Sequence, residues 1–241
     1  VKNLQVTDEA GVLRLKGVSF NIRAGEILGI AGVAGNGQSE LLEVLGGYRK
    51  AQGQILVNGA PIDITGQNAD GQSRRKHGIA HVPEDRQREG LIMDFAAWEN
   101  IAFGYHTDEK YQSGIFMNNA AIKQDASEKM QRFDVRPPNH NLTAKSFSGG
   151  NQQKLVLARE IERDPDILLV GQPTRGVDIG AIEFIHQQIM TLRERGKAIL
   201  LVSVELEEIM SLSDRIAVMF DGQIMGERLP NETDEKELGL L

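Results

Sequence analysis

Short apolar runs alternate along this chain with stretches of helical periodicity. Ile27–Ala31 (ILGIA), Ile79–Val82, residues 166–170 and residues 198–203 are too short for buried helices and predict buried strands. Residues 40–45 (ELLEVL) form a helical pattern ended by Gly46-Gly47. Residues 151–163 place Leu155, Ala158 and Ile161 on one face. Residues 181–195 carry Ile182, Ile185, Ile189 and Leu192 on one stripe, ended by Gly196. Leu206–Leu212 predicts a further short helix. Strands alternating with helices predict an α/β fold with a mostly parallel sheet, covered on both faces.

The flanking pattern is different. Residues 13–22 (LRLKGVSFNI) predict strand, tight turn at Lys16-Gly17, strand. Asn58-Gly59 between residues 54–57 and Ala60–Ile62, and Asp221-Gly222 between Arg215–Phe220 and residues 223–226, are hairpin signals. The first of these predicts an N-terminal antiparallel β subdomain. Residues 68–76 predict a short helix stopped by Gly78, and Pro83-Glu84-Asp85-Arg86 a charged turn at a strand's carboxyl end. Residues 88–150 turn polar and helical, which predicts an inserted helical subdomain. Its helices fall at 98–105 and 120–133, where Ile122, Ala126, Met130 and Phe133 share a face, with a loop at 107–115 and a break at Pro137-Pro138. The expected division is therefore a single domain over 1–241, with residues 1–87 and 151–241 as core and β subdomain and 88–150 as helical insertion. The acidic residues 234–237 read as solvated surface.

Composition narrows the function. With 241 residues, 40% of them hydrophobic, the chain can bury a core. A formal charge of −7 gives no sign of a nucleic-acid face. There is no cysteine, so thiol and disulfide chemistry are excluded. The five histidines (His77, His81, His106, His140, His186) lack metal-ligand spacing. No apolar run reaches the length of a membrane span. The sequence starts at Val1 rather than Met, and a piece of a longer polypeptide is expected.

Candidate chemistry begins at Gly32–Ser39, GVAGNGQS, between a strand and a helix. That context suits a phosphate-binding loop of the form G-x-x-x-x-G-K-[ST]. Gly32, Gly35 and Gly37 let the backbone approach a polyphosphate, and the helix start that follows adds positive potential. The candidate contacts are Gly32, Val33, Ala34, Gly35, Asn36, Gly37, Gln38, Ser39 and Glu40, with the Ser39 hydroxyl for a magnesium ion. Gln38 stands where the lysine belongs. Two unit charges about 4 Å apart are worth roughly 4 kcal/mol near a surface, on the order of a thousandfold in rate. Taken alone, the octet is equally readable as a ligand-free turn.

A second cluster lies downstream. SFSGGNQQK (146–154) is a serine and two glycines opening a long helix, hence a second anion-friendly helix start. DPDILLVGQPTRGVD (164–178) follows it closely. With the two clusters in this order, the whole chain resembles the nucleotide-binding domains of ABC transporters, and the resemblance implies a P-loop NTPase-like fold. Gly32–Ser39 matches the Walker A loop, Glu84 lies where the Q-loop glutamine is usual, and Ser148-Gly149-Gly150-Asn151 matches the signature motif. Residues 167–173 match Walker B, and Asp178 closes the D-loop. PEDR, SGGNQQK and PTRGVD followed by Gly180-Ala181 resemble the second half of tandem ATP-binding proteins of simple-sugar and nucleoside importers.

Four departures from the family pattern fall on catalytic positions of one site. Gln38 replaces the lysine, Gly171 the magnesium-orienting aspartate, Gln172 the water-activating glutamate and Val204 the switch histidine. No aromatic residue precedes Phe20 to stack on adenine. Loss of a general base costs about a hundredfold to ten-thousandfold. The resemblance implies ATP and Mg2+ as cofactors and a partner ATP-binding domain, expected as the N-terminal half of the same polypeptide. It also implies permease subunits docking between Glu84 and residues 88–150, and a peripheral place on the cytoplasmic face of the membrane. In this family each ATP lies between one domain's Walker residues and the other's signature. The expectation is a domain with a hydrolysis-deficient Walker site that offers Ser148–Asn151 in trans. A weak self-sufficient ATPase and a structural module that never meets nucleotide stay open, as does ATP binding at the domain's own loop.

Overall fold

The structure, a computed structural model, describes residues 1–239. In chain order the first elements are β1 (Lys2–Thr7), β2 (Leu13–Val18), β3 (Ile27–Ala31), α1 (Gln38–Gly46), β4 (Gln52–Val57), β5 (Ala60–Ile62), α2 (Gly71–Lys76) and β6 (Ile79–Val82). The middle of the chain forms α3 (Ala97–Ala102), β7 (Gln112–Ser113), β8 (Phe116–Met117), α4 (Asn119–Arg132) and α5 (Gly149–Ile161). It closes with β9 (Ile167–Gly171), α6 (Ile179–Glu194), β10 (Ala198–Val202), α7 (Leu206–Leu212), β11 (Arg215–Phe220), β12 (Gln223–Arg228) and α8 (Glu235–Leu238). These fall into two compact units. One comprises Val1–His81, Pro165–Gln172 and the chain from Gln188 onward; the other comprises Val82–Asp164 and Pro173–Gln187.

The first unit carries two sheets. The larger has the order β12-β11-β3-β10-β9-β6. Strand β3 pairs in parallel with β10 and β11, and β10 with β9; only β12 is shown to run antiparallel, through the Asp221-Gly222 hairpin. Strands β3 and β10 are buried along their whole length, as their unbroken apolar sequences require. The smaller sheet, β2-β1-β4-β5, is antiparallel. Leu41, Leu42, Val44 and Leu45 of α1 join Leu4, Leu15 and Val18 of this sheet and Leu28, Ile30 and Leu200 of the other in one apolar core.

One reading of this unit is corrected. Residues 13–22 do not make a hairpin: Gly17 lies inside β2 at φ +89°. Between Leu4↔Val18 and Gln5↔Lys16 the register with β1 shifts, so Gly17 is the extra residue of a bulge. A β-carbon there would come within 2.9 Å of Asn3 Oδ1. Residues 234–237 open the short helix α8 at the surface: Asp234 and Lys236 are exposed, Glu237 pairs with Arg228 at 3.0 Å, and Leu238 just beyond them is buried.

In the second unit α3, α4 and α5 carry the structure. Ile122, Ala126, Met130 and Phe133 are buried along α4, as their spacing predicts. Helix α3 stops at Ala102, short of 105, because Phe103 leaves the helical region (ψ 123°) and Gly104 turns to φ +83°. Residues 107–115 contain a 3₁₀ turn (Glu109–Tyr111) and the first strand of the short β7–β8 hairpin. A polar network runs beneath them. Tyr111 donates to Asp125, which also pairs with Lys110 at 2.9 Å and Lys129 at 3.1 Å; Arg163 donates to Tyr111 at 3.0 Å and pairs with Asp108. Burial, with the Arg163 charge adding to it, lowers the Lys129 pKa to about 8 against the pull of Asp125. Among the described residues no helix is long and apolar enough to cross a membrane.

Candidate functional site

Strand β3 delivers Gly32–Ser39 at its carboxyl end, and α1 leaves from Gln38. Gly32, Gly35 and Gly37 have φ of +154°, +91° and +106°, conformations that a residue with a β-carbon strains to adopt. At Gly32 such a carbon would collide with the Met219 carbonyl. The loop has the shape that its glycine spacing predicts. Its interior, however, is taken by Gln38, whose side chain is only 5% exposed. Gln38 Oε1 accepts the backbone N–H of Asn36 at 3.1 Å, and Nε2 donates to the Val33 carbonyl at 3.1 Å. One of the loop's N–H groups is thus used by the Gln38 side chain. The loop is also tied down from outside. Asn36 Oδ1 accepts from the Asp221 N–H, and its carbonyl from the Gly222 N–H, each at 2.9 Å. Lys16 pairs with Asp221 at 2.6 Å.

Strand β10 ends beside β3, and β9 ends beside β10. Val202 is in register with both Ile30 and Gly171, so Gln172 and Val204 emerge at the sheet edge where the loop begins, the carboxyl edge at which parallel sheets hold ligands. Gln172 sits at φ +46° and donates its N–H to the Val202 carbonyl at 2.8 Å. Its Oε1 accepts the Val204 N–H at 3.4 Å. Residues 172 and 204 are therefore joined by a side-chain amide and a main-chain N–H. Gly171 is buried and offers no carboxylate. Among the described residues no group of three acidic or histidine side chains could hold a metal. The Ser39 hydroxyl, exposed at the helix start, is the remaining oxygen donor proposed for magnesium. A magnesium triphosphate does not fit this donor set: it lacks the cation, the metal carboxylate and one loop N–H.

In the second unit residues 148–151, the 175–178 turn and the PEDR turn are brought together. Ser148 caps α5 with φ −61° and ψ 161°. Its Oγ accepts from the Asn151 N–H at 3.4 Å and Asn151 Nδ2 at 2.9 Å, which leaves its own proton free to donate outward. Asn151 Oδ1 accepts the Arg136 N–H at 2.7 Å. A β-carbon on Gly149 would lie 2.6 Å from Arg86 Nη2 and 2.7 Å from the Gly176 carbonyl; one on Gly150 would lie 2.9 Å from Asp178 Oδ2 and 3.0 Å from the Ala181 β-carbon. The two glycines are the only residue type that lets the 175–178 turn seat against the helix start. Asp178 Oδ1 accepts the Ala181 N–H at 3.0 Å and caps the start of α6. Ahead of the turn, Asp85 accepts from the Gln87 and Arg88 N–H groups at 3.0 and 3.1 Å, and Glu84, half-buried, precedes it. Burial lowers the Arg86 pKa below the ordinary arginine value, against the opposing charge of Asp85. The sequence marked PEDR as a charged turn but gave no sign of where Arg86 reaches, since its partners lie about ninety residues away.

Residues 15–175 match the family model described as ABC transporter. The chain is 45% identical to the guanosine import ATP-binding protein NupO of Bacillus subtilis (strain 168), over all of this chain and 47% of that protein. It is also 45% identical to the nucleoside import ATP-binding protein NupA of Lactococcus lactis subsp. cremoris (strain MG1363), with the same coverage. The chain spans about half the length of these curated relatives. Among solved structures it is similar to the dimeric post-hydrolysis state of the ATP-binding cassette MJ0796 bound to ADP and Pi. That match has a TM-score of 0.80 and 26% identity, over 95% of this chain and 97% of the other.

Proposed function

Because this chain belongs to the ABC transporter family, we propose that it is the degenerate ATP-binding half of an importer for a nucleoside or simple sugar. In this reading it pairs with a second ATP-binding domain, the N-terminal half of the same polypeptide. Its own site, Gly32–Ser39 with Gln172, does not hydrolyse ATP. Its signature, Ser148-Gly149-Gly150-Asn151, completes the partner's site. The Ser148 hydroxyl and the first N–H groups of α5 face the terminal phosphate there and stabilise its charge as it is transferred. Glu84 and residues 88–150 meet the permease subunits, and the complex sits on the cytoplasmic face of the membrane. ATP and Mg2+ belong chiefly to the partner's site.

The observation that carries this reading is the Gln38 side chain folded into its own loop, within hydrogen-bond reach of Asn36 and Val33, while the helix start at Ser148 keeps a complete cap. The similarity to import ATP-binding proteins of about twice this length supports the tandem arrangement, and that to a cassette described as dimeric supports pairing. The test is reconstitution. The chain alone should show no magnesium-dependent ATP hydrolysis above background. Combined with an ATP-binding domain that retains lysine, aspartate, glutamate and histidine at the corresponding positions, it should raise that domain's turnover. Hydrolysis by the chain alone, or no effect on the partner, would reject the reading.

A further inference from the structure

Arg86 reaches across the second unit to the turn that backs the signature helix. Its Nη1 donates to the Arg175 carbonyl at 2.5 Å and its Nη2 to the Gly176 carbonyl at 3.1 Å. A guanidinium suits this task, because its rigid fork presents two donors to two successive carbonyls at once. The same Nη2 lies against Gly149, close enough that a β-carbon there would have to displace it. One side chain thus touches the PEDR turn that bears it, the 175–176 peptides and the first residue of α5. Two residues beyond those peptides, Asp178 contacts Gly150 and caps α6.

From this geometry we propose that Arg86 is a positioning residue for the signature. It pins the 175–176 carbonyls, so that Asp178, Gly149 and Gly150 form one rigid surface rather than a loop leaning on a helix end. Without the guanidinium those carbonyls turn to water and the 174–178 segment moves independently of α5. The presentation of Ser148 and the α5 N–H groups then loses its fixed backing. That last consequence rests on the reading of the signature face given above; the pinning itself does not.

Two measurements separate them. Hydrogen exchange on the chain alone, without nucleotide, reads the pinning. In Arg86→Gln the Gly176 and Val177 amides should exchange about tenfold faster, the size of effect expected for hydrogen bonds from a charged donor, while the amides of β3, β9 and β10 keep their rates. Arg86→Lys retains the charge and one donor, should show a smaller increase, and serves if Arg86→Gln fails to fold. Gly149→Ala pushes on the same contact, so the double variant Arg86→Gln/Gly149→Ala should exchange no faster than the faster single variant. Unchanged exchange in Arg86→Gln and Arg86→Lys, or additive effects in the double variant, overturns the proposal. The ATPase of the chain reconstituted with an intact ATP-binding domain reads the consequence, where kcat should fall about tenfold in Arg86→Gln and partly recover in Arg86→Lys. Faster exchange with unaltered ATPase would leave the pinning standing and reject the role assigned to the signature face.

Discussion

Val204 donates its backbone N–H to Gln172 Oε1 at 3.4 Å. The family resemblance implies a glutamate and a histidine at these two positions, and here the residues present bond to one another. Gln172 also has a left-handed backbone, φ +46°, so its side chain is aimed by a turn. Gln172→Glu alone would place a carboxylate at that point, with neither a metal carboxylate at Gly171 nor an imidazole at 204. Groups that act as a unit fail as a unit. Magnesium-dependent ATP turnover by the Gln172→Glu chain should equal that of the parent. The fourfold change Gln38→Lys, Gly171→Asp, Gln172→Glu, Val204→His should be the first to raise it measurably.

Gln38 has a structural role in the loop it follows. Its amide supplies the acceptor for Asn36 N–H and a donor for the Val33 carbonyl. In Gln38→Ala both loop groups lose that partner, and unfolding by urea should show a loss of about 1–2 kcal/mol. Gln38→Lys restores a donor to the carbonyl side, but not the acceptor for Asn36, and frees that N–H for an anion. Titration with an ATP analogue should therefore show tighter binding in Gln38→Lys than in the parent. Equal affinity would mean that the amide is no obstacle to nucleotide.

The alternation that predicted a parallel sheet is recovered because the strands it rests on are buried on both faces, and a buried strand has no choice but to be apolar throughout. Asp221-Gly222 was legible as a hairpin for the same local reason: the turn type demands those residues. What the turn does next was not legible. Its amides bind Asn36, 185 residues earlier for the Asp221 bond, and no local pattern encodes such a contact. Gly17 misled because a glycine flanked by polar and apolar residues serves a bulge as well as a turn. Only the pairing with β1, including the approach of Asn3, decides between them. Gly149 and Gly150 stood out in the sequence only as glycines at a helix start and through the family resemblance, while what they lie against, the carbonyl of Gly176 and the carboxylate of Asp178, belongs to a segment read as a separate motif.

Ser148 allows the cap and the phosphate role to be separated. Serine and aspartate cap helices about equally well, whereas alanine costs about 1 kcal/mol. Ser148→Asp should therefore keep the thermal stability of the parent, and Ser148→Ala should lower it. Activity should follow the opposite ranking. In reconstituted ATPase the aspartate places a negative charge before a triphosphate and should abolish stimulation of the partner domain, while the alanine loses one donor and should cost about tenfold. If Ser148→Asp left the stimulated rate intact, the helix start would not face phosphate.

The Tyr111–Asp125–Lys129 network makes stability depend on pH in two windows. Burial opposes ionisation of Asp125, but hydrogen bonds from Tyr111 and Lys110 and the charge of Lys129 outweigh it and bring the carboxyl to about 2 from 3.8. Unfolded, this group takes up its proton first as acid is added, so the stability it contributes is complete above 3.8 and is lost as pH falls toward 2. Lys129 behaves in the reverse sense. Its amine releases its proton near 8 in the fold and near 10.5 in the unfolded chain. Between those values the unfolded state binds more protons, and stability rises with pH, by about 3 kcal/mol for a gap of this size. At the upper end Tyr111 opposes the rise, since burial and its bond to Asp125 raise its pKa above 10.0 and the unfolded chain ionises first. Lys129→Met removes the buried amine and leaves Asp125 bonded to Tyr111 and Lys110. Urea unfolding of that variant should lose the alkaline rise and retain the acid decline, whereas an unchanged alkaline rise would place the titrating group elsewhere.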